Sequence, residues 1–449
     1  MMNTSRNIAA GVSKARTEAG ARSSSRRPIF YGWVVVATAA LGLCFSGATI
    51  VVYSFGVFLK PLTQEFNVGR GAISLAFTLH NFVGAIGAPF AGRLVDKLGA
   101  KRVILPGLLL LGLILVSALL IGSHLWQLYL FYLALAPVTL ATTPIPYSVV
   151  ISRWFDRRRG LALGLIMFGM GVGAVVMPPT VQRLIAHFGW RIAFATIGCA
   201  ILVIPIVVVA LFLKEDPKQM GLLPDGEERT VTHVSGAESQ IGLGWRQIYR
   251  TPKYWLMVAA FALAGGSMHA CILHMPALLS DRGLTAQNAA LGSSVVGAAV
   301  IAGRLLSGYL QDRVFAPWVA VGIFGMSGIG LALLWGGGGG AVALTAAFLV
   351  GLGMGAEVDI IAFLVSRYFG LRAFGTAFGL AFGSFILAGG LGGMLMGAGF
   401  DRTRSYELPL AGFFVMTVLA VVMFTRLGPY RFAAPQSHER AIVETESLE

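Results

Sequence analysis

Arg304, Glu357 and Asp359 are the only acidic or basic side chains set well inside the long apolar stretches of this sequence. The chain holds 34 Lys and Arg and 20 Asp and Glu, so this scarcity is informative. An ionisable group at membrane depth costs at least about 2.5–3.5 kcal/mol on insertion scales and normally faces a cavity or a partner. A guanidinium presents a planar, two-pronged donor face to a carboxylate and keeps its charge at any working pH. Arg304 therefore suits an anionic acid group, and Glu357 and Asp359 suit uptake and release of a proton. Two residues apart on a helix is about 200° of rotation, so one of these acids faces a central path while the other meets a neighbouring helix. The competing reading is an internal Arg–Glu ion pair that only locks the helices. His80, His269 and His274 are the remaining titratable groups of the apolar runs. Each can carry a proton near neutral pH, against the plainer role of a hydrogen bond between helices. His269 and His274, five residues apart, fall on different helix faces, and no metal-ligand spacing occurs.

The elements that must position these groups are transmembrane helices. Hydrophobic residues make up 56% of the 449 and charged residues only 12%, where soluble domains have about 25% charged. Crossing a hydrocarbon core takes about 20 helical residues. Charge-free runs of that length occur at Phe30–Leu59, Gly71–Gly92, Gly160–Gln182 and Ile192–Leu213, and Val103–Ser152 holds two spans parted near Gly122-Ser123-His124. After a polar stretch follow Tyr254–Ser280, Gly283–Gly303, Val314–Ala356 (two spans parted at Gly336–Gly340), Ala373–Phe400 and Leu408–Thr425. The expected fold is all-α, twelve transmembrane helices in two six-helix bundles. The segments are a tail (1–29, Ser/Arg-rich and expected to be disordered), a first bundle (30–213), a linker (214–253), a second bundle (254–427) and a second tail (428–449). Pro178-Pro179 is expected to kink or end the fifth span.

The two apolar halves repeat one another. Gly92-Arg93-Leu94-Val95-Asp96-Lys97 returns as Gly308-Tyr309-Leu310-Gln311-Asp312-Arg313, and Ser152-Arg153-Trp154-Phe155 as Ser366-Arg367-Tyr368-Phe369, at offsets of 216 and 214. Parallel repeats of this kind are one way to build secondary transporters. The same offsets carry Arg304 onto Ala88, Glu357 onto Thr143 and Asp359 onto Ile145. Those three groups are therefore no part of the duplicated scaffold. The acids Asp96 and Asp312 do recur, beside Lys97, Arg102, Arg153 and Arg313, and are expected to bridge helix ends and close one face of the bundle pair. The glycines Gly92 and Gly308 belong to the same gate, against the reading of ordinary charged-loop decoration.

With both termini and the linker on one side, that side carries 26 basic residues and the other 7. By the positive-inside rule the richer side is cytoplasmic. The net charge of +14 is thereby explained by a membrane anchor rather than a nucleic-acid partner. The first apolar run is too long for a cleaved signal peptide, and Cys44, Cys199 and Cys271 are too scattered for a disulfide frame or metal knuckle. No Gly-x-x-x-x-Gly-Lys-Ser/Thr phosphate loop occurs, and His438-Glu439 lacks the second His of a zinc protease. Neither an ATP-driven pump nor an enzyme is supported, and no cofactor is expected.

Residues of about 30–430 resemble the major facilitator superfamily, most specifically in the loop Gly92–Arg102 (GRLVDKLGAKR). The first span, Tyr31-Gly32-Trp33 through Tyr53-Ser54-Phe55-Gly56-Val57-Phe58 to Lys60-Pro61-Leu62, resembles the monocarboxylate transporter and oxalate/formate antiporter branch. So does the linker sequence Asp216-Pro217…Gly221-Leu222-Leu223-Pro224-Asp225-Gly226. The resemblance implies alternating access, with spans one, four, seven and ten lining a path between the bundles. It also implies a span-eight arginine that binds substrate carboxylate, which Arg304 matches, and Tyr53 and His274 are expected to join it at the substrate. Three departures stand out. Val300 replaces the acid that proton-coupled animal members carry four residues before that arginine, span one lacks their lysine, and Ala373–Phe400 lacks the lysine of oxalate/formate exchangers. One cation suits one carboxylate, so the resemblance favours a proton-coupled carrier of a small monocarboxylate, working as a monomer in the cell membrane. Glu357, Asp359, His269, His274 and His80 are the candidates for the proton. An oxalate/formate-type exchanger is the nearest alternative. A drug/proton antiporter is less well matched, since Met177-Pro178 and Val181-Gln182 break the fifth-span motif. A non-transporting sensor would carry a long soluble domain, which neither tail offers.

Overall fold

The computed structural model describes residues 30–155, 158–226, 242–311, 313–337, 340–370 and 372–431. The first half contains α1 (Gly32–Cys44), α2 (Gly47–Phe66), α3 (Arg70–Leu98), α4 (Ala100–Val116), α5 (Leu125–Ala141), α6 (Pro144–Trp154), α7 (Arg159–Val203) and α8 (Pro205–Phe212). A short linker helix α9 (Trp245–Tyr249) precedes α10 (Pro252–Asp281), α11 (Ala286–Gln311), α12 (Ala316–Trp335), α13 (Ala341–Phe369), α14 (Phe374–Thr403) and α15 (Glu407–Thr425). Among the described residues, eleven helical runs are long and apolar enough to cross a membrane.

The longest run, Arg159–Phe212, is two of the twelve expected spans joined end to end. Gly189 divides it with φ +80° and ψ 168°, a left-handed backbone that suits a residue without Cβ. The fifth span does not end at Pro178-Pro179: both prolines lie within continuous helix, and the helix is divided at Gly189 instead. Span one is itself interrupted, because α1 ends at Phe45 and Ser46 begins α2, its hydroxyl accepting the Thr49 N–H at 3.2 Å. Span four breaks at Thr142-Thr143, and the two interruptions meet where the Gly47 N–H donates to Thr142 Oγ1 at 3.1 Å.

Each half builds its own apolar core, and glycine stripes set the spacing within it. A Cβ on Gly169 or Gly173 would stand 2.2 or 2.4 Å from the carbonyls of Ala40 and Cys44, so α7 lies directly on the α1 backbone. In the second half a Cβ on Gly392 would meet the Gly266 carbonyl at 2.2 Å, bringing α14 onto α10 in the equivalent way. Small residues permit this approach, and side-chain packing rather than hydrophobicity holds helices together in lipid.

The bundle pair has two ends, the face that carries the linker and the far face. Among the described residues, the hydrogen bonds and ion pairs between bundles link residues 60–81 and 175 to residues 274–294 and 386–406. These belong to the far portions and middle of their helices. Thr78 Oγ1 donates to the Gly390 carbonyl at 2.7 Å, and Ser294 Oγ to the Val175 carbonyl at 2.6 Å. Towards the linker face the spacing changes. A Cβ on Gly84, Gly160, Gly164, Gly308, Gly375, Gly379 or Gly383 would meet nothing within 4 Å. The polar contacts between the bundles are thus gathered at the far face and the middle, and these glycines of the linker-side helix halves meet no neighbour.

Candidate functional site

Arg304 stands on α11 beside a glycine contact that fixes its position. A Cβ on Gly303 would come within 2.2 Å of the Leu352 carbonyl, and one on Gly355 within 2.1 Å of the Val300 carbonyl. α11 and α13 thus touch backbone to backbone, which brings the Gly355 carbonyl to Arg304 Nε at 3.4 Å. The same Nε lies 3.7 Å from Asp359 Oδ2, while Ser307, one turn beyond Arg304, donates its hydroxyl to the Arg304 carbonyl at 3.1 Å. Among the described residues the contacts of the guanidinium run through Nε. The two terminal nitrogens are the pair whose geometry matches a ligand carboxylate.

Glu357 is only 5% exposed, and its Oε2 has no hydrogen-bond partner among the described residues. The charge of Arg304 acts on both acids, but the ion pair within contact range is with Asp359. The alternative of an Arg–Glu lock is thereby replaced by an Arg–Asp contact between adjacent helices. Tyr53 comes from α2 of the first half, yet its ring packs in the core of the second. Its hydroxyl is within electrostatic range of Glu357 and Arg304. Tyr53, Arg304, Glu357 and Asp359 therefore form one group, contributed by both halves. Val300 is buried against α13. The carboxylate within contact range of Arg304 is Asp359, from the neighbouring helix.

The histidines lie elsewhere. His274 Nδ1 is 3.1 Å from Tyr406 Oη, and Nε2 is 2.9 Å from the Gly393 carbonyl and 3.2 Å from Ser74 Oγ, all within the far-face contact. His269 bonds the carbonyl of Gly265 in its own helix and packs on Phe385. His80 is held by the Tyr132 carbonyl in the first bundle. Of the expected gate, the side chains of Gly92 and Asp96 and the whole of Asp312 lie outside the described residues. Arg153 meets Glu215 of its own half at 3.8 Å, and the Glu215 carboxylate also accepts the Lys101 N–H at the start of α4. Arg313 folds back on Tyr309, and Lys97 and Arg102 are exposed.

Sequence reasoning missed Glu215, Asp281, Asp401 and Tyr406. Each is polar and stands at a helix end, where such residues are common, so only their spatial partners distinguish them.

The sequence profile of the Major Facilitator Superfamily matches residues 39–393. Monocarboxylate transporter 13 of Bos taurus is 28% identical over 93% of this chain and 94% of its own length. The oxalate:formate antiporter of Oxalobacter formigenes is 24% identical over 67% of this chain and 68% of its own. Among solved structures, an inward-facing, unoccupied bacterial homolog of the human lysosomal transporter Spinster superposes with a TM-score of 0.60, at 17% identity, over 89% of this chain and 96% of the other; that likeness concerns the fold. With eleven membrane-length runs, two packed halves and a profile match over most of its length, this chain is a multi-pass membrane transporter, not an enzyme, and belongs to the Major Facilitator Superfamily.

Proposed function

We propose that this transporter carries a small organic monocarboxylate, of the size of lactate or pyruvate, together with a proton. The observation that carries the reading is Arg304: a permanent cation within a span, at the junction of the two halves, whose contact partner is itself a carboxylate. A substrate carboxylate competes with Asp359 for the guanidinium, and release of Asp359 frees a second acid beside Glu357. Tyr53 offers a hydroxyl from the opposite bundle, so closure around the acid draws both halves together. Relatives named as monocarboxylate transporters and as an oxalate:formate antiporter support a carboxylate over other substrate classes. A dicarboxylate is disfavoured because residues 373–400 contain no lysine to meet a second charge. The purified protein should be stabilised against heat by lactate or pyruvate, and less by oxalate at equal concentration. Binding to the folded state alone raises stability in proportion to the logarithm of ligand concentration over Kd. Stabilisation by oxalate equal to that by monocarboxylates would refute the one-cation reading.

The linker face is proposed to be cytoplasmic and the membrane to be the cell membrane, with the chain working as a monomer. The support is the 26 to 7 division of basic residues. Reporters fused after Gly226 and after Gly283 should report opposite sides of the membrane. Signals from the same side would reject this topology.

A further inference from the structure

Three helix ends at the far face carry charges that are wrong for their own helices. Arg70 opens α3, at the positive end of its helix dipole, and Asp401 lies in the last turn of α14, at the negative end. Asp281 closes α10 with the same mismatch. Each is corrected only by the opposite bundle. Asp401 Oδ1 and Oδ2 accept the N–H groups of Arg70 and Gly71 at 2.8 Å each, capping the start of α3 across the bundle interface. The Arg70 guanidinium meets Asp281 Oδ2 at 2.5 Å, reaches Tyr406 Oη, and lies 3.8 Å from the centre of the Phe400 ring. Lys60 adds a 2.6 Å contact to Asp281.

The cap position of α3 explains why the acid must come from outside. Gly69 occupies it, with extended backbone and no side chain to offer. The corresponding span of the second half, α11, supplies its own cap: Thr285 Oγ1 accepts the Asn288 N–H at 3.3 Å. A Cβ on Gly69 would stand 2.2 Å from Asp401 Oδ2, so a side chain there forces the carboxylate out of its present position. Gly69 thus leaves the helix start bare and keeps the space that Asp401 enters.

We propose that Asp401 and Gly69 form a latch, a helix cap supplied from the opposite bundle that holds the far face closed and is broken each time the carrier opens there. When the bundles part at this face, α3 loses its cap while Arg70, Asp281 and Asp401 return to unfavourable helix ends. The closed far face is stabilised by several terms at once. The latch concerns the movement of the bundles and not the acid carried, so it stands apart from the proposed substrate.

Its test reads distance rather than transport. Spin labels are placed at Gln64 and Leu408, both exposed at the far face, in full-length protein whose Cys44, Cys199 and Cys271 are replaced by alanine. Distances are measured without any acid present. The unmodified latch should give one short population. Asp401→Ala should add a longer one, with the open-to-closed ratio raised roughly fivefold to thirtyfold, the factor for losing a cap and its charge pairing. Gly69→Ser should shift the distances the same way even though it gives α3 a cap of its own. The double variant should melt near the parent temperature yet stay open. If serine at 69 instead restores the short distance to Asp401→Ala, the carboxylate is only a structural cap and the latch is overturned. Unchanged distances in all three folded variants overturn it as well.

Discussion

Replacing Arg304 by alanine is expected to weaken binding of the carried acid by roughly 30-fold to several thousand-fold while leaving the protein folded. Truncating one partner of a desolvated, hydrogen-bonded charge pair typically costs about 2–5 kcal/mol, which converts to that range of affinity. Folding should survive because the Nε–Asp359 contact is long, at 3.7 Å, and the Asp359 side chain is 38% exposed, so it is not left as a fully buried unpaired charge. Arg304→Lys keeps the charge but loses the planar fork, so weak residual binding is expected. A purely structural ion pair predicts a different pattern. Arg304→Ala would then misfold unless Asp359 were also neutralised, and the double variant Arg304→Ala, Asp359→Asn would recover acid binding. Titration calorimetry on the purified variants separates the two. Binding within threefold of the parent in folded Arg304→Ala would reject the arginine as the substrate anchor.

The second large effect concerns the proton. Glu357 is buried with one oxygen unpartnered, while Asp359 is more exposed and is engaged by Arg304. Burying an ionised carboxylate without a partner is costly, and taking up a proton removes the charge. Glu357→Gln is therefore expected to abolish acid uptake driven by an imposed pH gradient, while exchange of acid for acid persists, since exchange does not require the proton to leave. Asp359→Asn removes the carboxylate that competes for Arg304, and should tighten acid binding rather than eliminate it. Vesicle uptake assays with and without a pH gradient read both effects. Normal gradient-driven uptake in Glu357→Gln would assign the proton to another group or to the acid itself.

Much of the architecture was legible because lipid imposes simple rules. Charge-free runs of membrane length gave the spans, and the breaks read near Gly122-Ser123-His124 and the glycine run 336–340 lie between helices that end at Leu120 and Trp335 and begin at Leu125 and Ala341. The span does not end at Pro178-Pro179, because a proline-containing helix in a bundle is held by its neighbours, whereas Gly189 turns the chain by a left-handed backbone that few other residues adopt. For the candidate site, charge at depth pointed to Arg304, Glu357 and Asp359, but which acid meets the arginine depends on the Gly303–Gly355 contact between α11 and α13. Spacing along the chain carries no such information. His274 looked equivalent to the other buried candidates in sequence, and its partners Ser74, Gly393 and Tyr406 set it in the far-face contact instead. Asp401 was the least visible of all, since its role exists only in relation to the missing cap at Gly69, more than three hundred residues away.

The central claim, carriage of a monocarboxylate held by Arg304, is tested most directly by counterflow. Proteoliposomes loaded with an unlabelled acid are diluted into a trace of labelled lactate, pyruvate, formate or oxalate, and the label that accumulates inside is counted. The account predicts transient accumulation of labelled lactate or pyruvate that is lost in Arg304→Ala and only partly retained in Arg304→Lys, with oxalate accumulating far less. Counterflow of oxalate equal to that of the monocarboxylates, or counterflow of lactate undiminished in Arg304→Ala, would contradict it.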